Sequence, residues 1–561
     1  MKSILCFLSL LAVALPARAQ VKTIPKFNHP GVVVELADLT RMKAKMTTPP
    51  WSDGYAALAA KRQAAKDYKM KGPFEVVGRE PNLNRGQFEE DCMAVFYQAI
   101  QWHMTGDRVY AEKGIAILNA WAETHKKWSG GTARIGVGEF GFFMVMGAEI
   151  LRHTYPGWPP TTTARVENYF KEVFWPLLEI GQKGVLAGAN QGAMQLQVAT
   201  AIAVFCDDQE RLAQIIYSWY IDGAATPQNS LPNGQLGDMG RHQPHALIQI
   251  RGLALTAETF YKQGIDLYSE LDNRLLAVGE YFSDYNLGNA RTFLPYGCTY
   301  GYYFVPGNDK GIYQWANLPL GILQNAYVTR TGGKAPFIGQ YLDRLKVDEN
   351  TFLFKNDEPS KLKTTVLTRP PALPEPAPVT ALTVKNIGHS GAPGSVVYKD
   401  GTWTLQGAGK DIWTGDTDSF VFAYRQMKGD GVVIARITGL PASPTATKAG
   451  VMIRENLEAK APERVALTFT TGLKCQTTFP IRGKKGSQSQ SISSTPWWVK
   501  LERRGNRVNV YHCSDGVNWS ITASVPTQME ATVYVGLVLS TGKPEDSATV
   551  TFDQVKISPT P

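Results

Sequence analysis

Histidine and cysteine are scarce in this sequence, with eight and six among 561 residues. Cys6 lies in the N-terminal apolar run, and the other five are Cys92, Cys206, Cys298, Cys475 and Cys513. They form an odd, widely spaced set without a CxxC pair, which excludes a zinc-ribbon pattern and a disulfide-framed scaffold. Cys475 and Cys513 share the C-terminal region and could pair, whereas the others read as buried thiols. Charged residues are only 19% of the chain. After residue 19 no apolar run is long enough to cross a bilayer. No paired acidic motif stands out.

Aromatics are plentiful instead. They reach 11%, with 13 Trp and 23 Tyr, and so exclude a chain too polar to bury a core. The length argues for more than one folding unit. The formal charge of +9 invites a nucleic-acid or membrane reading, so its placement matters. Residues 381–561 hold 20 Lys and Arg against 14 Asp and Glu, a net of +6. Residues 20–380 hold 36 against 35, almost neutral.

Lys2, the apolar run Ile4 to Leu15 and the small residues Ala17-Arg18-Ala19 read as a secretory signal over 1–19, cleaved after Ala19 to leave Gln20. The expectation is a soluble protein exported to the periplasm or the medium.

A proline-rich stretch, Arg369-Pro370-Pro371-Ala372-Leu373-Pro374-Glu375-Pro376-Ala377-Pro378, divides the chain and reads as a semi-rigid linker over 369–380. Upstream, over 20–368, apolar residues recur at three- and four-residue intervals. Met93, Phe96, Ala99, Ile100 and His103 mark one helix over 86–103, stopped at Thr105-Gly106-Asp107. Ala111, Ile115, Leu118 and Trp121 mark the next. The helix-turn-helix rhythm recurs at 139–153 with 164–182, 191–206 with 208–222, and 245–262 with 269–283. Stacked hairpins of this kind commonly close into an all-α (α/α) toroid. Downstream, over 381–561, the period becomes two in Ser419 to Tyr424, Val432 to Ile437, Trp497 to Arg503, Val508 to Tyr511 and Ala548 to Phe552. Gly505-Asn506 and Asp515-Gly516 read as hairpin turns. A multidomain chain follows, with a helical toroid and then an all-β, jelly-roll-like sandwich.

The one close histidine pair lies in Gly237-Asp238-Met239-Gly240-Arg241-His242-Gln243-Pro244-His245. Pro244 favours a helix start, which places His245 where the macrodipole disfavours an imidazolium. Asp238, Arg241 and His242 precede it on a glycine-punctuated loop. A second polar cluster, Gly188-Ala189-Asn190-Gln191-Gly192, also opens a helix. A third runs from Asn286 through Arg291 to Tyr296 and Tyr300. Each has a plain structural alternative: Asn190 as a helix cap, the histidines as hydrogen-bonders, the tyrosines as core. His242 and His245 could also hold a metal, but no carboxylate-rich partner motif supports it, and neither metal nor cofactor is expected.

Together these segments resemble the alginate-lyase superfamily, above all the polysaccharide lyases of family thirty-eight that cut alginate or glucuronan. The resemblance rests on Gln263-Gly264-Ile265-Asp266-Leu267-Tyr268, Asp272-Asn273-Arg274-Leu275-Leu276, Glu280-Tyr281 and Tyr285-Asn286-Leu287-Gly288-Asn289. Where that family reads roughly Glu-Ser-Gly-Arg-Asp-Gln-Gly-His, Arg241, Gln243 and His245 match. Asp238, His242 and Pro244 depart from it. The resemblance implies an α/α toroid that cleaves an acidic polysaccharide by β-elimination.

That reaction removes the C5 proton of a uronate, forms an enediolate on the C6 carboxylate and breaks the C4–O bond. The proton is too weakly acidic until the carboxylate charge is neutralised, so amide or cationic donors must face it. Asn190, Gln191 and Arg241 are the candidates, and the resemblance gives the Asn that role. A base and an acid must flank the sugar. His245 suits one task. The resemblance gives the other to a tyrosine after a proline, here Tyr296, with Tyr300 in reserve and Arg291 as the cation that would lower its pKa. Gln191, His242, Arg291, Tyr300 and Asp238 are expected to contact substrate. One tyrosine can serve both steps on mannuronate or glucuronate, whereas on guluronate His245 and the tyrosine would divide them.

The C-terminal region is similar to concanavalin-like sandwiches appended to carbohydrate enzymes, on Ala449 to Arg454, Trp497 to Leu501 and Ser514 to Trp519. Of Trp403, Trp413, Trp497, Trp498 and Trp519, at most two are expected to be exposed for sugar stacking. Its net positive charge suits a polyanionic polymer rather than nucleic acid. Two other functions remain open: a toroidal glycoside hydrolase using a pair among Glu139, Glu149 and Asp238, or a non-catalytic polysaccharide binder.

Overall fold

The computed structural model describes residues 26–558 except 182–187, 222, 295, 297–308, 390, 413–417, 442–446, 462, 472–473, 480–487 and 493–494. The expected signal segment, Cys298, Tyr300 and Trp413 lie outside the described residues.

The helical region comprises α1 (Leu36–Lys45), α2 (Trp51–Ala59), α3 (Arg85–Thr105), α4 (Arg108–Thr124), the one-turn α5 (Ala133–Gly136), α6 (Phe142–Thr154) and α7 (Pro160–Tyr169). It continues with α8 (Ala189–Phe205), α9 (Gln209–Ile221), α10 (Gln243–Lys262), α11 (Glu270–Asn286), α12 (Asn317–Gln324), α13 (Pro336–Leu342) and α14 (Glu349–Phe354). Their boundaries follow local chemistry. Gly106 ends α3 at φ +73, the left-handed conformation that glycine adopts without a Cβ penalty. Asp107 then caps α4 by accepting from Val109 N–H.

Alternate helices pack on one another in the order α3, α6, α8, α10, α12, and the series returns to α3 through α14, α2 and the turn at Arg62–Ala64. Outside this series, α4 packs on α3, α7 on α4, α9 on α8 and α11 on α10. In this ring α8 is apolar nearly all round and buries every residue from Ala193 to Phe205. One contact sets the closeness of α8 and α10. A Cβ on Gly252 would stand 2.6 Å from the Ala193 backbone, so only glycine lets the two helices meet there.

The sandwich consists of two antiparallel sheets. One runs in the order Ser520–Pro526, Arg507–Cys513, Trp497–Arg504, Gly431–Gly439, Lys543–Ser558, Thr402–Gly409, Ser395–Lys399. The other runs Gln488–Ile492, Lys474–Phe479, Glu463–Thr471, Lys448–Arg454, Thr532–Ser540, Phe420–Lys428, Thr383–Ile387. Alternation is plain in Trp497–Arg504, where Trp497, Val499 and Leu501 point into the shared core and Trp498, Lys500 and Glu502 point out. Trp403 and Trp497 are core, and Trp498 and Trp519 are half-buried on the outer face, so among the described residues two of the named tryptophans are available.

The proline stretch is held at both ends. Arg369 pairs with Glu270, while Ala377–Pro378 pairs with Lys543–Ser558. The sandwich also docks on the helical domain directly: Arg507 Nη2 donates to Gly181 O (2.7 Å) and Asn509 Nδ2 to Ile221 O (2.9 Å), both fully buried. Cys92, Cys206 and Cys513 are buried free thiols, so the pairing of Cys513 with Cys475 is not made. Cys475 lies on the opposite sheet. Cys513 Sγ instead accepts the Gly516 N–H of the tight turn (3.2 Å).

Candidate active site

Two helix starts meet at one cleft. α8 begins after Gly188, with Ala189 in the left-handed region at φ +52 and Asn190 and Gln191 in the first turn. α10 begins after His242, with Pro244 in the first turn and His245 directly behind it. Both N-termini direct the positive ends of their helix dipoles at the cleft. The cavity is about 320 Å³ and is lined by Arg79, Glu80, Thr132, Ile135, Glu139, Asn190, Gln191, Met194, Arg241, His245 and Ile248.

Four residues singled out in the sequence therefore share one cavity: Asn190, Gln191, Arg241 and His245. Asn190 does not cap its helix; Gly188 occupies that position. Its Oδ1 lies 3.5 Å from Arg241 Nη2, and Arg241 Nε donates to Asp238 Oδ1 (2.8 Å). Asp238 is fully buried in the turn Gly237–Gly240, so it orients the guanidinium rather than meeting substrate. His242 stands just outside the cavity lining. His245 Nδ1 and His242 Nδ1 are 2.8 Å apart, so one ring donates and the other accepts, which leaves His245 Nε2 outside this bond. Burial, and then the Arg241 guanidinium, hold His245 below its ordinary 6.5. The neutral ring expected from the helix start is therefore also favoured by burial and by a neighbouring cation.

Two expected residues are elsewhere. Arg291 pairs with Asp284 and stacks over Tyr281 (5.4 Å to the ring centre), away from the cleft. Tyr296 is 3% exposed, does not line the cavity, and donates its hydroxyl to Asn229 Oδ1 (3.4 Å). Arg274 is a cation that lies within the field of Tyr296. The physical reason for the placing of Tyr296 is a long-range clamp: Leu294, two residues earlier, is held by Gln235, whose Oε1 accepts Leu294 N–H and whose Nε2 donates to Leu294 O, both at 2.9 Å. That clamp turns Tyr296 beneath the 229–240 loop. Gln243, matched by the resemblance, is also structural: its Nε2 donates to Met239 O (2.7 Å) and its Oε1 accepts from Asn286 (3.0 Å).

Of the opposite wall, the sequence pointed only to Glu139, as an acid for hydrolysis, and missed the arginines. Arg79 follows the short strand Val76–Gly78, donates to Thr132 Oγ1 (2.7 Å) and pairs with Glu80. Arg134, on α5, donates from both Nε (3.1 Å) and Nη2 (2.8 Å) to Gln191 Oε1. Glu139 pairs with Arg251 (3.4 Å). Single charges scattered over short elements leave no periodic signal; the Gly130-Gly131 pair before Thr132 was the one local cue. Glu149 lies outside the cleft, against His29, so it cannot partner Glu139 in hydrolysis. Chemically, the cleft offers amide and guanidinium donors on one side of a neutral imidazole.

Residues 40–293 match the family model described as alginate lyase. No curated protein matches the chain. Among solved structures, an alginate lyase from Bacteroides ovatus is 15% identical, covering 58% of this chain and 99% of its own, with a TM-score of 0.46. Alginate lyase A1-III from Sphingomonas species A1 is also 15% identical, covering 59% and 98%, with a TM-score of 0.44. A carbohydrate-binding module from Bacillus subtilis is 16% identical, covering 31% and 94%, with a TM-score of 0.20.

Proposed function

We propose that this chain, whose residues 40–293 match the alginate lyase family model, is an exported polysaccharide lyase that cleaves a uronate polymer, alginate or glucuronan, by β-elimination. The observation that carries the reading is the placing of Asn190, Gln191, Arg241 and His245 on a single cavity. The first three supply donors for the C6 carboxylate, lowering the cost of negative charge as the enediolate forms. His245 Nε2 takes the C5 proton. For that step His245 carries its other proton on Nδ1 and donates it to His242 Nδ1, which fixes the reactive tautomer. The imidazolium that results lies within the field of Asp238. On mannuronate or glucuronate, where the C5 proton and O4 share a face, the same imidazolium returns its proton to O4 as the C4–O bond breaks. The products end in a 4,5-unsaturated uronate.

The sandwich contributes retention on polymer. Trp498 and Trp519 meet edge to face (6.1 Å) on its outer surface, and Lys500 lies over Trp519 (4.7 Å) and Tyr511 (3.9 Å). Flat aromatic faces beside a cation suit sugar rings that bear carboxylates. Incubation with alginate and with glucuronan, followed by ultraviolet absorbance of the unsaturated ends, tests the reaction. Reducing ends without that absorbance would mean hydrolysis. Loss of retention on immobilised polymer in Trp498→Ala, with unchanged turnover of short oligomers, tests the sandwich.

A further inference from the structure

Outside the cavity lining, three ligand-type side chains converge without any role in the chemistry above. His29, just before the first short strand, places Nδ1 2.7 Å from Glu149 Oε1, and His153 Nε2 lies 3.6 Å from Glu149 Oε2. One ligand atom from each lies within 4.8 Å of the others. Glu149 and His153 are four residues apart, so both project from one face of α6. The two imidazoles stack (centroids 4.2 Å apart, planes within 8°) and therefore present ring nitrogens to the same carboxylate.

A second observation points to a ligand. Glu149 is fully buried, and its Oε2 has no hydrogen-bond partner although it is aimed at His153. A buried carboxylate oxygen left without a donor is costly. The 3.6 Å gap is too long for a hydrogen bond but close to the spacing of roughly 3.4 Å between two ligands of a tetrahedral ion bound at about 2.1 Å. The surroundings are those of a built site. Asp207 Oδ1 accepts from His29 Nε2 (2.9 Å), and Gly31 N–H donates to Glu149 Oε1 (3.1 Å). A carboxylate on the outer nitrogen of a histidine fixes the ring with its inner nitrogen free to ligate.

We propose that His29, Glu149 and His153 bind one late first-row dication, zinc being the best match to two imidazoles and a carboxylate. The fourth position falls to water, because His153 and Asp207 reach the surface. Binding places the ion where the His29 Nδ1 proton stands, and that proton leaves to solvent. The ion clasps the N-terminal segment to α6 and to the turn between α8 and α9 that carries Asp207, and so acts on stability and not on the cleft.

The test uses the full chain stripped of metal with a chelator and titrated with zinc chloride by calorimetry and chelator competition. One zinc per chain is expected, with a raised melting temperature and, for cobalt(II), the intense visible bands of a tetrahedral site. His153→Ala should remove the binding, and Asp207→Asn, on the surface, should weaken it roughly 10- to 100-fold. Absence of stoichiometric uptake would overturn the proposal. So would uptake unchanged in both variants, or uptake lost only in His242→Ala.

Discussion

Arg134 grips Gln191 with two donors on one acceptor: Nε and Nη2 reach Gln191 Oε1 at 3.1 and 2.8 Å. The amide oxygen is thereby occupied, and the amide nitrogen, a pure donor, is the end left for a carboxylate in the cavity. Gln191 can then add to the charge neutralisation begun by Asn190 and Arg241.

Removing that grip tests its purpose. Arg134→Leu lets the Gln191 amide rotate, and kcat/KM on uronate polymer should fall roughly 10- to 100-fold with little change in melting temperature. Arg134→Lys, a single point donor, should restore only part of the loss. Full activity in Arg134→Leu would detach Gln191 from catalysis.

The His245 ring should set the acid limb of the pH profile. Burial and Arg241 hold it below 6.5, so it is a neutral base at pH 7 and becomes protonated only in more acidic solution. kcat/KM should fall on the acid side of 6.5, and Arg241→Gln, besides costing rate, should move that limb upward. A limb well above 6.5 in the unaltered protein would contradict the assignment.

Tyr296 separates the geometry from the family resemblance. Its hydroxyl is turned to Asn229 under the 229–240 loop. Tyr296→Phe should cost about 1 kcal/mol of stability and keep most turnover. Loss of turnover at unchanged stability would restore the catalytic tyrosine to this position.

The docked sandwich should unfold together with the helices. Arg507 and Asn509 bury their only charged or amide groups against Gly181 and Ile221 of the helical domain. Asn509→Ala should destabilise the chain by about 1–2 kcal/mol, since the Ile221 carbonyl loses its donor. Ending the chain at Thr380 should lower the melting temperature of the helical domain. Two independent calorimetric transitions in the full chain would contradict this coupling.

Acid should destabilise both domains through buried histidines. Burial pushes His125 down to about 4 and His512 to about 3. Both are neutral when folded and bind protons more readily when unfolded. The stability they allow is whole above about 6.5 and is lost as pH falls toward those values, by up to ~1.4 kcal/mol per unit for each ring. Thermal melts between pH 7 and 4 should show the slope, and His512→Gln should flatten it.

Periodicity made the fold legible. The helix of Met93, Phe96 and Ile100 and the strand of Trp497, Val499 and Leu501 each follow from the spacing of their apolar residues. Two corners of the site were legible too, because Asn190 and His245 open helices whose start signals are local. What stayed hidden depends on contacts across many residues. Arg134 meets Gln191 from 57 positions away, and His29 meets Glu149 from 120. The placing of Tyr296 outside the cavity lining goes with the clamp of Leu294 by Gln235, 59 positions before Leu294, which no motif around Pro295 encodes. The proline stretch suggested a tether, but side chains on a strand's outer face cannot announce that Arg507 and Asn509 are docked.

The most direct test follows the unsaturated product by ultraviolet absorbance in the unaltered protein and in His245→Ala and Asn190→Ala, each on alginate and glucuronan. The expected result is absorbance growing with the unaltered protein on at least one polymer and falling by at least about 100-fold in both variants, whose melting curves stay intact. No absorbance on either polymer, or full activity in His245→Ala, would contradict the account.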